Sequence, residues 1–166
     1  MNKTIFTISL LCSLAFGSVQ AAQQLQIQFS QPPLKVAQYQ RPYTAVWIED
    51  SRGKAVRNLA VWHEDEEWLK DIRRWWRKSG RYGLQEFDAV SGATRPPGEY
   101  KLTWDLTGKD GRPVAPGKYT VLLEAVREHG NRSLVKQKIR LGEGQQTFTI
   151  EPTEELGRIT IVVGDK

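Results

Sequence analysis

Apolar and polar residues alternate along most of this chain. Leu25-Gln26-Ile27-Gln28-Phe29 puts an apolar side chain at every second position, the period of a strand with one buried face. After a loop with Pro32-Pro33 and Pro42, residues 43–50 and 56–62 are rich in strand formers. They flank the turn signal Asp50-Ser51-Arg52-Gly53, which predicts a hairpin. The same pattern predicts strands at 100–105, 118–128, 133–141, 146–150 and 158–163, with His129-Gly130-Asn131-Arg132 closing a second hairpin. About eight short strands at hairpin spacing read as an immunoglobulin-like antiparallel β-sandwich rather than a parallel sheet.

One segment has a different period. Over residues 65–79 the large apolar side chains are Trp68, Leu69, Ile72, Trp75 and Trp76, a spacing that fits one face of a helix. Asp65, Glu66 and Glu67 begin it, Arg77 and Lys78 end it, and Gly80 follows, charges and glycine that suit a helix dipole and its C-terminus. The fold expected is therefore a mostly β sandwich with one inserted amphipathic α-helix at about 65–79. A motif-bearing loop, 83–99, follows the helix.

The first residues read as a secretory signal: Lys3, an apolar run from Ile5 to Phe16, and small residues Val19 and Ala21 ahead of a cut after Ala21. Cutting the 166-residue chain there leaves 145 residues, one domain covering 22–166. The only cysteine, Cys12, leaves with the signal, so no disulfide, thiolate nucleophile or iron–sulfur site is expected. Losing Lys3 lowers the formal charge from +5 to +4. In an exported, periplasmic chain that excess fits an acidic partner or solubility better than nucleic acid. No transmembrane segment is expected in the mature chain.

Conventional catalytic patterns are missing. The two histidines, His63 and His129, do not form a zinc motif, Asp105 to Gly111 lacks the alternate acids of a calcium loop, and no nucleotide-binding loop occurs. No catalytic residue and no metal site are assigned.

One string stands out: Asp88-Ala89-Val90-Ser91-Gly92-Ala93-Thr94. Five fixed positions of that kind arise by chance in roughly one chain in several thousand. The string resembles the flavinylation motif Asp-x-x-(Ser/Thr)-Gly-Ala-Thr. That resemblance implies covalent FMN joined through its phosphate to Thr94 by a separate flavin transferase that consumes FAD with Mg²⁺. It also implies supporting roles for Asp88, Ser91, Gly92, Ala93 and Arg95. A phosphodiester needs an accessible hydroxyl, small neighbours leave room for the transferase, and Arg95 can pair with a phosphate. Read as turn chemistry, the same residues make an ordinary loop.

Of the tryptophans, Trp76 is the ring-stacking candidate. Neighbours on a helix lie about 100° apart, so one of Trp75 and Trp76 falls at the edge of the buried stripe; Tyr82 is a further possibility. Arg73, Arg74, Arg77, Lys78 and Arg81 form a basic cluster, either a solvated helix face or an anion site.

Two broader resemblances follow. Trp104-Asp105-Leu106-Thr107-Gly108-Lys109-Asp110-Gly111, with Val114-Ala115-Pro116-Gly117-Lys118-Tyr119, resembles the immunoglobulin-like domain of flagellar hook-capping proteins, with Leu106 where glycine is expected. Trp47-Ile48-Glu49-Asp50, the Leu69 to Arg77 helix, the Asp88 string and the Trp104 stretch, in that order, resemble a family of predicted periplasmic proteins of unknown function. Links in that family to PepSY-type membrane redox proteins and flavin transferases imply extracytoplasmic electron transfer. The alternative is a non-enzymatic binding or scaffold module of the cell envelope, without a cofactor.

Overall fold

A computed structural model describes residues 23–83 and 88–165. The expected signal, 1–21 with Cys12, and positions 84–87 of the motif loop lie outside the described residues. The strands are β1 (Gln23–Gln31), β2 (Tyr43–Asp50), β3 (Ala55–Trp62), β4 (Ser91–Gly92), β5 (Gly98–Trp104), β6 (Gly117–Val126), β7 (Arg132–Leu141), β8 (Gln146–Ile150) and β9 (Ile159–Asp165). Each predicted strand is present; the two-residue β4 is an addition.

Two sheets form, in the orders β5-β1-β9-β8 and β4-β3-β2-β6-β7, antiparallel except where β3 meets β4. Alternation along β1 turns Leu25, Ile27 and Phe29 inward, where they meet Val46 and Ile48 of β2 and Val121, Leu123 and Ala125 of β6. This is the expected β-sandwich. In the Trp104 stretch the indole donates to the carbonyl of Thr107 at 2.7 Å, and the Tyr119 hydroxyl donates to that of Ala115 at 2.8 Å. Leu106 has a φ of 60°, the left-handed conformation that glycine adopts without strain.

Strand β2 does not alternate: Thr44 through Glu49 are all buried. Its outer face lies under a third layer, the segment predicted as one helix. That segment is two pieces, a 3₁₀ turn over Glu66–Asp71 and the α-helix α1 over Arg73–Lys78, broken at Ile72 with φ −74° and ψ 69°. Leu69 of the 3₁₀ turn, Ile72 at the break and Trp75 of α1 form one fully buried row. Trp68, expected on the buried face, is thrown outward and is 45% exposed. This layer packs on Ala45, Trp47, Val61 and Leu122 as a second apolar core. Gly80 ends the segment by close approach: a Cβ there would fall 2.5 Å from the Trp76 ring.

The first turn of α1 carries no acidic residue, and its own cap residue makes no side-chain hydrogen bond. Its cap comes from the sheet. Glu124 on β6, fully buried, accepts from the backbone N–H of Arg74 at 3.0 Å and of Trp75 at 2.9 Å, and pairs with Arg132 at 2.7 Å. Glu49 on β2, also buried, accepts from the Trp47 indole at 3.0 Å and pairs with the Arg74 guanidinium. Glu124→Ala leaves two helix amides and Arg132 without their buried anion. The expected loss is about 3–5 kcal/mol, read by urea denaturation; Glu143→Ala, at an exposed surface pair, stays within about 0.5 kcal/mol.

Candidate functional site

The motif lies where the chain passes between sheets. Ser91 and Gly92 run parallel to the end of β3, paired with Val61 and Trp62, and the His63 amide donates to the Gly92 carbonyl at 2.9 Å. Residues 93–97 then cross to β5, the edge of the opposite sheet. Among the described residues this crossing makes no backbone–backbone hydrogen bond. A Cβ added at Gly92 would meet nothing within 4 Å, so there is open space beside it.

Three consecutive residues hold the motif. Arg95 lies over the Trp62 ring, 5.4 Å from its centroid. His63 Nε2 and Ser91 Oγ are hydrogen-bonded at 2.9 Å. Glu64 Oε1 accepts from Thr94 Oγ1 at 2.7 Å. Beneath the loop, Trp62 stacks on Phe29 and meets Tyr100 edge-on, and the Tyr100 hydroxyl donates to the Pro96 carbonyl. The loop is thus fastened by side chains rather than by a ladder, and its floor is aromatic.

This arrangement corrects one expectation. Thr94 does lie in a loop, between exposed Ala93 and Arg95, but its side chain turns inward and the residue is only 3% exposed. The cause is a nearby anion: a hydroxyl within reach of a carboxylate gains a charge-assisted hydrogen bond by turning to it. Asp88 begins a short 3₁₀ turn, Asp88–Val90. His63 Nδ1, on the ring whose Nε2 meets Ser91, is buried and has no hydrogen-bond partner.

The aromatic candidates separate. Trp75 is sealed in the second core, its indole donating to Asn58 at 3.1 Å. Trp76 is half-buried at the edge of that core, as helix geometry anticipates. Tyr82, 63% exposed, stands near Gly53 at the opposite end of β3 from the motif. Trp68 instead faces a groove of about 370 Å³ with Tyr43, Arg73, His129 and Arg132 on its walls. Strand pairing puts Tyr43 and Trp62 on neighbouring positions, so groove and motif open at the same end of the sheet.

The basic cluster also divides. Arg74 is engaged by Glu49 and Arg73 lines the groove, whereas Arg77, Lys78 and Arg81 lie with the β2–β3 turn. That turn is eight residues of β3 away from the motif, about 23 Å at strand rise, so those three side chains do not serve Thr94. His63, Glu64 and Trp68 are the site residues sequence reasoning missed. They look like a helix start, and only pairing across 28 to 30 positions makes two of them partners of the motif. Among the described residues no group of three or more His, Cys, Asp and Glu could hold a metal, and no helix is long and apolar enough to cross a membrane.

A family model described as predicted periplasmic protein (DUF2271) matches residues 24–158, and the chain belongs to that family. Comparison with curated proteins and with solved structures finds no match.

Thr94→Val removes the bond to Glu64, whose carboxylate is at the surface and regains water. The expected cost is about 1 kcal/mol in urea denaturation. Tyr43 titrates above the ordinary 10.0 because burial disfavours its phenolate, with the charges of Glu64, Asp65 and Glu128 adding to the effect against a backbone hydrogen bond at Asp65. The folded chain then holds this proton when the unfolded chain has lost it, so stability falls as pH rises above about 10. Tyr43→Phe flattens part of that fall in a pH series of melts; Tyr39 and Tyr119, raised also by burial, keep the rest.

Proposed function

We propose that this member of the predicted periplasmic family is a carrier of FMN, joined covalently through its phosphate to Thr94, and that it serves extracytoplasmic electron transfer. The observation that carries the reading is the Asp88 to Thr94 string, with all five fixed positions of the flavinylation motif in order. The surrounding residues are compatible with the group. Arg95 supplies an exposed cation next to the acceptor, and Gly92 borders open space. Bound there, FMN supplies the redox capacity that the side chains lack.

Attachment is a substitution at phosphorus. Thr94 Oγ1 joins the FMN phosphorus of FAD as the bond to AMP breaks, and the hydroxyl proton is lost, with a separate flavin transferase and its Mg²⁺ as catalyst. The chain's own part is to present that hydroxyl. For this the Glu64 contact must open and the 93–97 crossing swing outward, a motion that breaks side-chain contacts but no strand pairing. The opened carboxylate turns to water, since next to a phosphodiester it would repel the new charge. The groove walled by Trp68 and Tyr43 opens at the motif's end of the sheet, a bed for the flavin ring in preference to Trp76. A PepSY-type membrane redox protein is the partner class this role suggests.

A second reading, a cofactor-free binding or scaffold module, is favoured by one observation: Thr94 is buried and already hydrogen-bonded. Intact mass separates the two. After co-expression with a flavin transferase, the wild-type chain should gain one FMN less one water, and Thr94→Ala should gain nothing. Glu64→Ala should accumulate the adduct several-fold faster, because the hydroxyl starts unclamped. Trp68→Ala should keep the adduct and change the flavin's fluorescence. A wild-type chain that stays unmodified beside a transferase active on another acceptor leaves the scaffold reading standing.

A further inference from the structure

The end of the sandwich away from the motif carries an unusual density of one charge. Arg52 and Lys54 come from the β2–β3 turn, and Arg77, Lys78 and Arg81 from α1 and the residues after it. These five cations border one shallow, open depression, and among the described residues no acid lines it. Two acids that precede the turn are engaged: Asp50 accepts from the Arg52 and Lys54 amides and lies 3.7 Å from the Arg52 guanidinium, while Glu49 is buried against Arg74. Like charges gathered from two separate segments repel one another in the folded chain and relax apart in the unfolded one. Folding brings them together at a cost, which an anionic surface lying across them would offset.

Tyr82 is the other prominent feature. It is 63% exposed and lines the same depression, and the Arg81 guanidinium lies 4.9 Å from its ring centroid and donates to its hydroxyl at 2.7 Å. An aromatic ring with a polar tip, set among long basic side chains, is the composition that settles at a membrane–water boundary. The depression is open rather than pocket-like, and it spreads its cations instead of converging them on one anion. Both features suit a plane of headgroups better than a single small phosphate.

We propose that this basic face, Arg52, Lys54, Arg77, Lys78 and Arg81 around Tyr82, docks the protein peripherally on anionic phospholipid. The proposal is independent of Thr94. It places the lipid at one end of β3 and the motif loop at the other, about 23 Å apart at strand rise, so lipid and any group on the loop do not compete. Each basic residue near an anionic membrane strengthens partitioning roughly fivefold, and salt screens the attraction over about a nanometre.

The test is sedimentation of the folded chain with vesicles of phosphatidylglycerol mixed equally with phosphatidylcholine, against phosphatidylcholine alone. Wild type is expected in the pellet with the anionic vesicles only, and added salt should release it. Arg77→Glu with Arg81→Glu, both exposed, should weaken binding more than tenfold with an unchanged melting temperature, and Tyr82→Ala should weaken it several-fold. The control, Lys136→Glu with Lys138→Glu on β7, makes the same change in net charge at exposed positions and should lose far less. Equal loss in control and test pairs overturns the proposal, because net charge alone would then explain the binding. So does a wild type that ignores the vesicles, and one that ignores them but binds polyglutamate assigns the face to an acidic protein instead.

Discussion

A carboxylate with no access to water organises this molecule. Glu124 stands on the outer face of the five-stranded sheet, and such a group is tolerable only if its charge is matched by donors. It finds them in two amides at the start of a six-residue helix and in one arginine. A helix that short has little stability of its own. The anion and the row Leu69, Ile72, Trp75 together decide where it lies and which way it runs. Glu49, the second buried carboxylate, holds Arg74 and the Trp47 indole in the same layer.

The surface chemistry follows from that placement. With its start held near the β6–β7 hairpin, α1 leaves Arg73 beside the groove at the motif end and sends Arg77, Lys78 and Arg81 toward the β2–β3 turn. A run of basic residues that is continuous in the chain therefore serves two ends of the molecule and, through Arg74, its interior. The break at Ile72 has a similar effect on the aromatics: it packs Trp75 inside and leaves Trp68 outside on the groove wall.

At the motif end the governing feature is reciprocity between two short strings. Trp62, His63 and Glu64 leave the end of β3 in order; Ser91 answers from β4, and Arg95 and Thr94 from a crossing that has side-chain anchors but no ladder. Such a segment can open at the cost of a few hydrogen bonds while both sheets remain intact. That is a physical basis on which a buried threonine can still be an acceptor, and the buried hydroxyl is equally what an ordinary, well-satisfied loop presents.

Much of the fold was legible in the chain itself, because strand period, turn glycines and hairpin spacing are local properties. Leu25 to Phe29, the turn at Gly53 and the strand at 146–150 needed no partner to be recognised. The motif string was legible for the same reason, as was the half-buried position of Trp76, which depends only on the angle between helix neighbours. Residues 65–79 announced an amphipathic helical segment, but its division into a 3₁₀ turn and α1 was not local. It depends on the sheet residues it packs against and on Glu124, 49 and 50 positions further on. Likewise nothing near Thr94 in the chain reveals Glu64, since two residues 30 apart become partners only once a parallel pairing sets β4 beside β3. Local sequence thus determined which segments are strands and which string resembles a modification motif. Tertiary structure alone decided which charges are buried, which tryptophan meets solvent and which way the threonine points, because each depends on what another segment brings within a few ångströms.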